Sequence, residues 1–412
     1  MMFLRGLVLV GVLGTGPLLA GPVPQEVPQN VSPYTQVQTA NLRFNRWISG
    51  FRSRALRQGI SAATFDTAFA NIDYNTTVVE RDRNQSEFSK ALWEYLDTAV
   101  SDARIRNGRR ALEGNERLLT QIEATYRVDK EVVVAIWGLE SAYGAVRGRT
   151  NVIEAMATLA YEARRGEFFE EQLVAALQIL EAGDTAPRNM TGSWAGAMGH
   201  TQFIPTSFLD YAVDGNGDGR RDIWSDDPTD ALASTANYLR SFGWTLGQPW
   251  GVEVQLPNGF DYATARRENE QLPSAWAALG VVDLNGRAVP DHGPASILLP
   301  GGAEGAAFMI FPNFEVLERY NTADAYVIGV GHLSDRIAGG RAIHATWPRG
   351  DGALSAPQRR ELQERLTAAG FDTTKIDGRI GPLTINAIRN YQLANGLTPD
   401  GYASVRLLER LR

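Results

Sequence analysis

The sequence predicts a mainly α protein of the α+β kind: a helical domain carrying a small β-containing lobe, followed by a separate C-terminal module of three short helices. Three observations predict it. Apolar residues recur at helical spacing through most of the chain, as Phe44, Trp47, Ile48 and Phe51 do among Arg43, Arg46 and Arg52. From Trp250 to Phe314 that period fades, and short runs (Val252 to Leu256, Ser296 to Leu299, Ala307 to Ile310) alternate with Gly, Pro and Asn turns. The turn-rich stretch Trp347 to Gly352 then sets off a tail with its own internal pattern.

In chain order, Met1-Met2-Phe3-Leu4-Arg5 leads into an uncharged, largely apolar run from Gly6 to Ala20, the pattern of a signal peptide over residues 1–20. The run is shorter than the ~20 residues a bilayer span needs, and a Pro-rich leader over 21–40 follows it. The chain has no cysteine, so lipid attachment behind the signal, disulfides and thiol catalysis are all excluded. An exported, non-lipidated protein is therefore expected. Asn41 to Asn71 reads as one amphipathic helix starting a domain over 41–346. Further helices are expected over Ser86 to Ala99, Ala111 to Tyr126, Lys130 to Tyr143, Val152 to Tyr161, Phe168 to Ala182 and Tyr326 to Ala338.

After a linker over 347–353, the tail 354–412 places Leu362, Leu366 and Ala369 on one helical face, then Ile388 and Tyr391, then Val405, Leu408 and Leu411. Three short helices around one small core are expected. Two Asp-Gly turns, Asp377-Gly378 and Asp400-Gly401, fall at matching places and suggest two similar half-units.

The net charge of −7 provides no broad basic field, which argues against nucleic acid as a partner. The four histidines (His200, His292, His332, His344) lie far apart, and none forms the two-His pair of a helical zinc site. There is no Gly-x-Ser-x-Gly elbow, no phosphate-cradling Gly-x-x-x-x-Gly-Lys loop and no dinucleotide fingerprint. A carboxylate mechanism remains. The strongest candidate is Glu140, within the otherwise almost uncharged helix Val132 to Gly144, sharing a face with Ile136, Trp137 and Tyr143. Poor solvation and the negative end of the helix dipole both raise the pKa of a carboxyl there, which keeps a proton available near neutral pH for general-acid work. The structural alternative is a glutamate at an exposed rim, or one paired with an arginine such as Arg147.

Three further constellations stand out. Gly192 to Phe208 combines small residues with Ser193, Gln202 and aromatics, as a sugar-binding wall does, or as an ordinary Gly-rich turn into a helix does. Glu318 to Leu333 brings Tyr320, Asn321 and Tyr326 to a helix start, where capping and core packing are the plain reading. Asp214-Gly215-Asn216-Gly217-Asp218-Gly219 matches the start of a calcium loop, with oxygen ligands at positions one, three and five and glycine at six. Position twelve is Ser225 rather than a glutamate, so Asp222, Asp226, Asp227 or Asp230 would have to close such a site. The alternative is an Asp/Asn/Gly surface turn.

Taken together these segments resemble the lytic murein transglycosylases of the membrane-bound B type, a lysozyme-like family, over roughly Asn41 to Ala345. The motifs that carry the resemblance are Trp137 to Gly144, Ala195 to Gly199 with Gln202-Phe203-Ile204-Pro205, the Asp-rich loop leading into Asp230 to Leu239, and Arg319-Tyr320-Asn321. The resemblance implies that the single catalytic glutamate is Glu140, that Ser193, Gln202, Tyr238, Asn321 and Tyr326 bind substrate, and that a structural Ca2+ is held by Asp214, Asn216, Asp218 and a closing Asp230. The tail is similar to a three-helix peptidoglycan-binding module, on Ile376 to Thr384, Asn390-Tyr391-Gln392 and Gly396 to Gly401, with Tyr391 at the family's usual phenylalanine.

What the resemblance implies is cleavage of the β-1,4 bond between N-acetylmuramic acid and N-acetylglucosamine in peptidoglycan strands. Glu140 acts first as acid and then as base, while the sugar's own 6-hydroxyl closes a 1,6-anhydro ring. An intramolecular nucleophile can stand in for the second carboxylate of an ordinary glycosidase, and no cofactor is required. The expected location is the periplasm. A hydrolytic muramidase and a non-catalytic wall-binding protein are the alternatives.

Overall fold

The structure, a computed structural model, describes residues 33–84, 90–162 and 164–412. The signal-peptide reading and most of the leader lie outside the described residues. Among the described residues no helix is long and apolar enough to cross a membrane. Two compact units are present, one built from 90–143 with 235–412 and the other from 33–84 with 144–234.

The first unit is organised on the helix Lys130–Ser141, whose residues Val132 to Gly138 are all buried. The helix Asp324–Ile337 packs along it, and Leu92–Ala99 and Asp102–Gly114 complete the surround. Glycines allow the close approach. A Cβ on Gly329 would sit 2.8 Å from the ring of Tyr95, and one on Gly331 2.3 Å from the indole of Trp250. The start of Lys130–Ser141 is tied down by Asp129, which accepts from the Trp244 indole N–H at 2.8 Å.

The expected β-containing lobe is an antiparallel four-stranded sheet in the order Val282–Asp283, Gly251–Gln255, Ala307–Ile310, Ser296–Leu298. Its register pairs Gly251 with Ile310 and Ile297 with Met309. Trp276, Val281, Ile297 and Met309 fill the core beneath it.

The tail forms the three expected helices, Ala356–Ala368, Pro382–Ala394 and Val405–Leu411, around Leu354, Leu362, Leu366, Ile388, Leu407 and Leu408. Its two half-units repeat in detail. The buried Gln363 takes the amide of Gly378 on its carbonyl and donates to Asp377; the buried Gln392 does the same with Gly401 and Asp400. Both glycines are left-handed, at φ +75° and +76°, which is why each turn reads Asp-Gly.

In the second unit Val152–Tyr161 and Gly166–Ala182 pack closely, and Pro33–Arg57 lies against the first of them. Phe44 and Phe51 are fully buried and Trp47 stacks on Phe51 at 5.3 Å, as the amphipathic pattern requires. A two-stranded ribbon pairs Thr150–Asn151 with Thr191–Gly192.

Several boundaries differ from expectation. The segment Asn41 to Asn71 is two helices, because the chain turns at the left-handed Gly59 (φ +90°) and Ser61 caps Ala62–Ala68. Likewise Ala111 to Tyr126 is broken at Asn115, where φ is −122° and the side chain bonds back to the Ala111 carbonyl. The first helix starts at Pro33, inside the expected leader. Pro205–Tyr211, Pro273–Ala278 and Pro312–Tyr320 were not anticipated from periodicity; each carries proline in its first turn, where a missing N–H costs nothing.

Candidate active site

Glu140 lies in the last turn of Lys130–Ser141. The helix ends immediately afterwards with Ala142 and Tyr143, both left-handed at φ +51° and +61°, and their amides return to Gly138 and Trp137. This reversal folds Tyr143 back over the helix. Its hydroxyl donates to the Arg104 carbonyl at 2.7 Å, and its ring lies where a Cβ of Gly138 or Gly108 would otherwise be. Arg104 in turn donates to the Gly138 carbonyl, bracing the helix end that carries Glu140. Ile136 and Trp137 are core residues, and Trp137 meets Tyr143 edge-on at 6.0 Å.

The carboxyl of Glu140 accepts one hydrogen bond, from the Tyr326 hydroxyl at 2.5 Å, and among the described residues it has no salt bridge. Arg147, the partner proposed for a merely structural glutamate, pairs instead with Asp226 at 2.6 Å. Burial pushes the Glu140 carboxyl up to about 7, and the Tyr326 bond partly opposes it. No second carboxylate contributes to that value. Tyr326 titrates well above its ordinary range, chiefly through burial, and stays a proton donor at physiological pH.

The remaining expected residues of this unit continue outward from Tyr326. Tyr320 stacks on Tyr326 at 6.4 Å, and Tyr238 meets Tyr320 edge-on at 5.0 Å while donating to the Arg319 carbonyl. Asn321 follows Pro312–Tyr320 directly and accepts the amide of Ala323, holding the turn into Asp324–Ile337. Tyr95, which no local motif marks, faces the same place. Its hydroxyl is pushed up to about 12, first by burial and then by the Glu140 charge. Tyr95 and Arg104 are site residues that sequence reasoning missed, since only the fold brings them to the Glu140 helix end.

In the second unit, Ser193 accepts the amides of Ala195 and Ala197, so its hydroxyl organises a tight turn. Gln202 is held left-handed at φ +55° and donates to the carbonyls of Gly199 and Arg147. His200 is buried, bonded to the Ser225 carbonyl, and its pKa is lowered by burial. The Gly-rich segment is thus a backbone-dense wall. A Cβ on Gly148 would fall 2.1 Å from the Gly192 carbonyl oxygen and one on Gly199 2.3 Å from that of Ile223.

The Asp-rich loop is strapped by its own side chains. Asp214 accepts the amides of Gly217, Asp218 and Gly219, and Asn216 accepts that of Asp218. Asp230, 1% exposed, spends both oxygens on loop amides: Gly215 and Asn216 on one, Asp222 on the other. Among the described residues no group of three or more His, Cys, Asp or Glu side chains is gathered to hold a metal ion. Asp214, Asn216 and Asp218 retain oxygen chemistry suited to a hard cation at an exposed turn, with Gly219 at φ +87° closing it. Asp230 braces the loop from within, as Asp214 does from its start.

Residues 43–335 match the transglycosylase SLT domain family, and residues 355–411 match the peptidoglycan binding domain family. The chain is 33% identical over 251 residues to membrane-bound lytic murein transglycosylase B of Escherichia coli (strain K12), a match covering 59% of this chain and 66% of that protein's length. It resembles the crystal structure of SltB3 from Pseudomonas aeruginosa in complex with NAG-anhNAM-pentapeptide, with 49% identity, a TM-score of 0.87, and coverage of 90% of this chain and 99% of that one. It also resembles Escherichia coli Slt35 in complex with calcium, with 29% identity, a TM-score of 0.61, and coverage of 71% and 92%.

Proposed function

The chain belongs to the SLT-domain family of lytic transglycosylases, with a C-terminal peptidoglycan-binding domain, and on that premise we propose that it cleaves the MurNAc-GlcNAc β-1,4 bond of peptidoglycan and leaves 1,6-anhydro-MurNAc ends. The observation that carries the reading is the Glu140 carboxyl, poised at about 7 with Tyr326 as its hydrogen-bond donor and no second carboxylate acting on it. A group that titrates near ambient pH can both give and recover a proton. Glu140 delivers its proton to the glycosidic oxygen, and the Tyr326 hydroxyl stabilises the carboxylate left behind. The same carboxylate then takes the proton of the sugar's 6-hydroxyl as that oxygen closes on the anomeric carbon. Proximity of this internal nucleophile supplies what a second acid supplies in hydrolytic glycosidases. Tyr238, Asn321, Ser193 and Gln202 belong to this proposal as substrate-binding residues.

Mass spectrometry of products from purified sacculi is the test. Anhydro-muramic ends support the transglycosylase. Reducing ends would transfer Glu140 to a muramidase, and the absence of any product would leave a wall-binding protein.

Two subsidiary proposals accompany it. The segment 1–20 is proposed to direct export to the periplasm without lipidation, which fractionation and N-terminal sequencing of the recovered protein check. A Ca2+ ion is proposed on Asp214, Asn216 and Asp218 with Asp230 closing the site, a reading supported by the calcium complex of Slt35. It would supply structural rigidity only. Millimolar Ca2+ is then expected to raise the melting temperature, and Asp218→Ala to remove that rise.

A further inference from the structure

The residues that bring Tyr326 to Glu140 are themselves held from outside the site. Tyr320, Asn321 and Tyr326 lie at the corner between Pro312–Tyr320 and Asp324–Ile337, where Asn321 to Ala323 make the turn. The bonds within that turn are local: Asn321 accepts the Ala323 amide, and the Tyr326 amide donates to the Ala323 carbonyl at 2.8 Å. They shape the turn and leave the angle between the two helices to other contacts.

Arg267 spans this corner. It comes from the β-containing lobe, 51 residues before Glu318 and 57 before Asp324. Its Nη1 donates to Glu318, in the last turn of the first helix, and its Nη2 to Asp324, which opens the second. The guanidinium also lies 5.1 Å from the centre of the Phe314 ring, a fully buried residue of the first helix. We propose that Arg267 is a positioning residue for the cleavage reaction, holding the corner so that the Tyr326 hydroxyl stays on Glu140, an inference that rests on the acid-base role of Glu140.

Three features support this role. The loop that carries Arg267 is firmly built: the Arg266 amide and the Asn269 side chain both donate to the Thr264 carbonyl, at 2.8 and 2.9 Å, Ala265 is buried in the core of the lobe, and Gln271 exchanges backbone bonds with Ala295. A planar fork that gives one nitrogen to each of two carboxylates fixes their separation and their direction, which a flexible point charge does not. Charge adds to the geometry. Burial pushes the Glu318 carboxyl up, the Arg267 charge opposes that, and the Asp324 charge adds to it. Among the described residues neither carboxylate has another ion pair, so without Arg267 the two helices would present like charges to each other.

Tyr326 lies two residues beyond Asp324 in the same first turn, so movement of that turn is passed to the hydroxyl that meets Glu140 at 2.5 Å. The other groups around Glu140 are Tyr95, from Leu92–Ala99, and Arg104, which braces the helix end from Asp102–Gly114. Ion pairs partly open to solvent add little to stability, so loss of Arg267 is expected to show in the site rather than in the fold.

The test is a pH series of sacculus digestion by full-length wild type, Arg267→Met, Tyr326→Phe and the double variant. R267M is expected to lose ~10-fold at its maximum and to move its profile to higher pH, as Y326F does, because both remove the hydrogen bond that lowers the Glu140 pKa. The double variant should fall no more than about threefold below Y326F alone, since the two changes remove one contact. A wild-type rate and profile in R267M, or a double variant whose loss is the product of the two single losses, would overturn the assignment. Should R267M fail to fold, Glu318→Gln and Asp324→Asn carry the test: each keeps the side chain's shape and breaks one ion pair, and each is expected to move the profile the same way. Wild-type profiles in both would equally overturn it. A wild type that digests sacculi beside an unmoved R267M refutes the role of Arg267 alone, whereas a wild type that yields no product at any pH refutes the cleavage reading.

Discussion

Glu140→Gln separates proton chemistry from packing, because glutamine keeps the shape and can still accept the Tyr326 hydrogen bond but cannot ionise. The Glu140 carboxyl moves from 4.5 to about 7 on folding, chiefly through burial. That difference, 7 minus 4.5, is ~2.5 units and corresponds to about 3 kcal/mol. The folded pKa is raised, so the native protein holds a proton that the unfolded chain has already released. The associated stability is fully present below about pH 4.5 and is lost as pH climbs through about 7. The glutamine variant has no such loss. It should match the wild type near pH 4.5 and exceed it by up to about 3 kcal/mol at pH 8, measured by urea denaturation followed by circular dichroism. Sacculus cleavage should fall by ~10² to 10⁴-fold or more, since one group performs both proton transfers. A variant that is destabilised equally at both pH values, or that cuts at more than about a tenth of the wild-type rate, would refute the reasoning.

Other expectations follow from the same contacts. Tyr326→Phe removes the one hydrogen bond that lowers the Glu140 pKa, so the pH profile of cleavage should shift to higher pH and its maximum fall ~10-fold, on a pH series of sacculus digestion. Gly148→Ala combines a φ of +88° with a Cβ 2.1 Å from the Gly192 carbonyl oxygen; a loss of more than ~3 kcal/mol in denaturant unfolding is expected, and a loss under ~1 kcal/mol would contradict the described packing. A chain ending at residue 346 forfeits the Asp400, Arg406 and Arg389 contacts with the lobe. It should retain cleavage of soluble glycan, bind sacculi more weakly in sedimentation, and melt at a lower temperature than the full-length protein.

The local part of this molecule was legible in the sequence because its causes are local. Helical spacing of Phe44, Trp47 and Phe51 marked a buried face, and Asp-Gly pairs at 377 and 400 marked two left-handed turns whose repetition the structure reproduces atom for atom in Gln363 and Gln392. An acidic residue on an apolar helix singled out Glu140 before any geometry was known, since a desolvated carboxyl needs a reason to be there. Periodicity failed where a glycine or asparagine interrupts a helix without altering its apolar spacing, as at Gly59 and Asn115. It failed again where short helices start at proline.

Only tertiary structure could decide the partners. Tyr326 reaches Glu140 across 186 residues, and Tyr95 arrives from a helix with no motif of its own, admitted by the missing Cβ of Gly329. The Asp-rich loop shows the same division of causes. Its Asp-Asn-Asp spacing is written in the sequence, whereas the burial of Asp230 with both oxygens accepting backbone amides is not, because loop N–H groups shielded from water must find acceptors in the chain. Arg389 likewise reads as one more surface arginine in sequence. Docking of the tail on Ala265 buries it, a consequence that no pattern of neighbouring residues encodes.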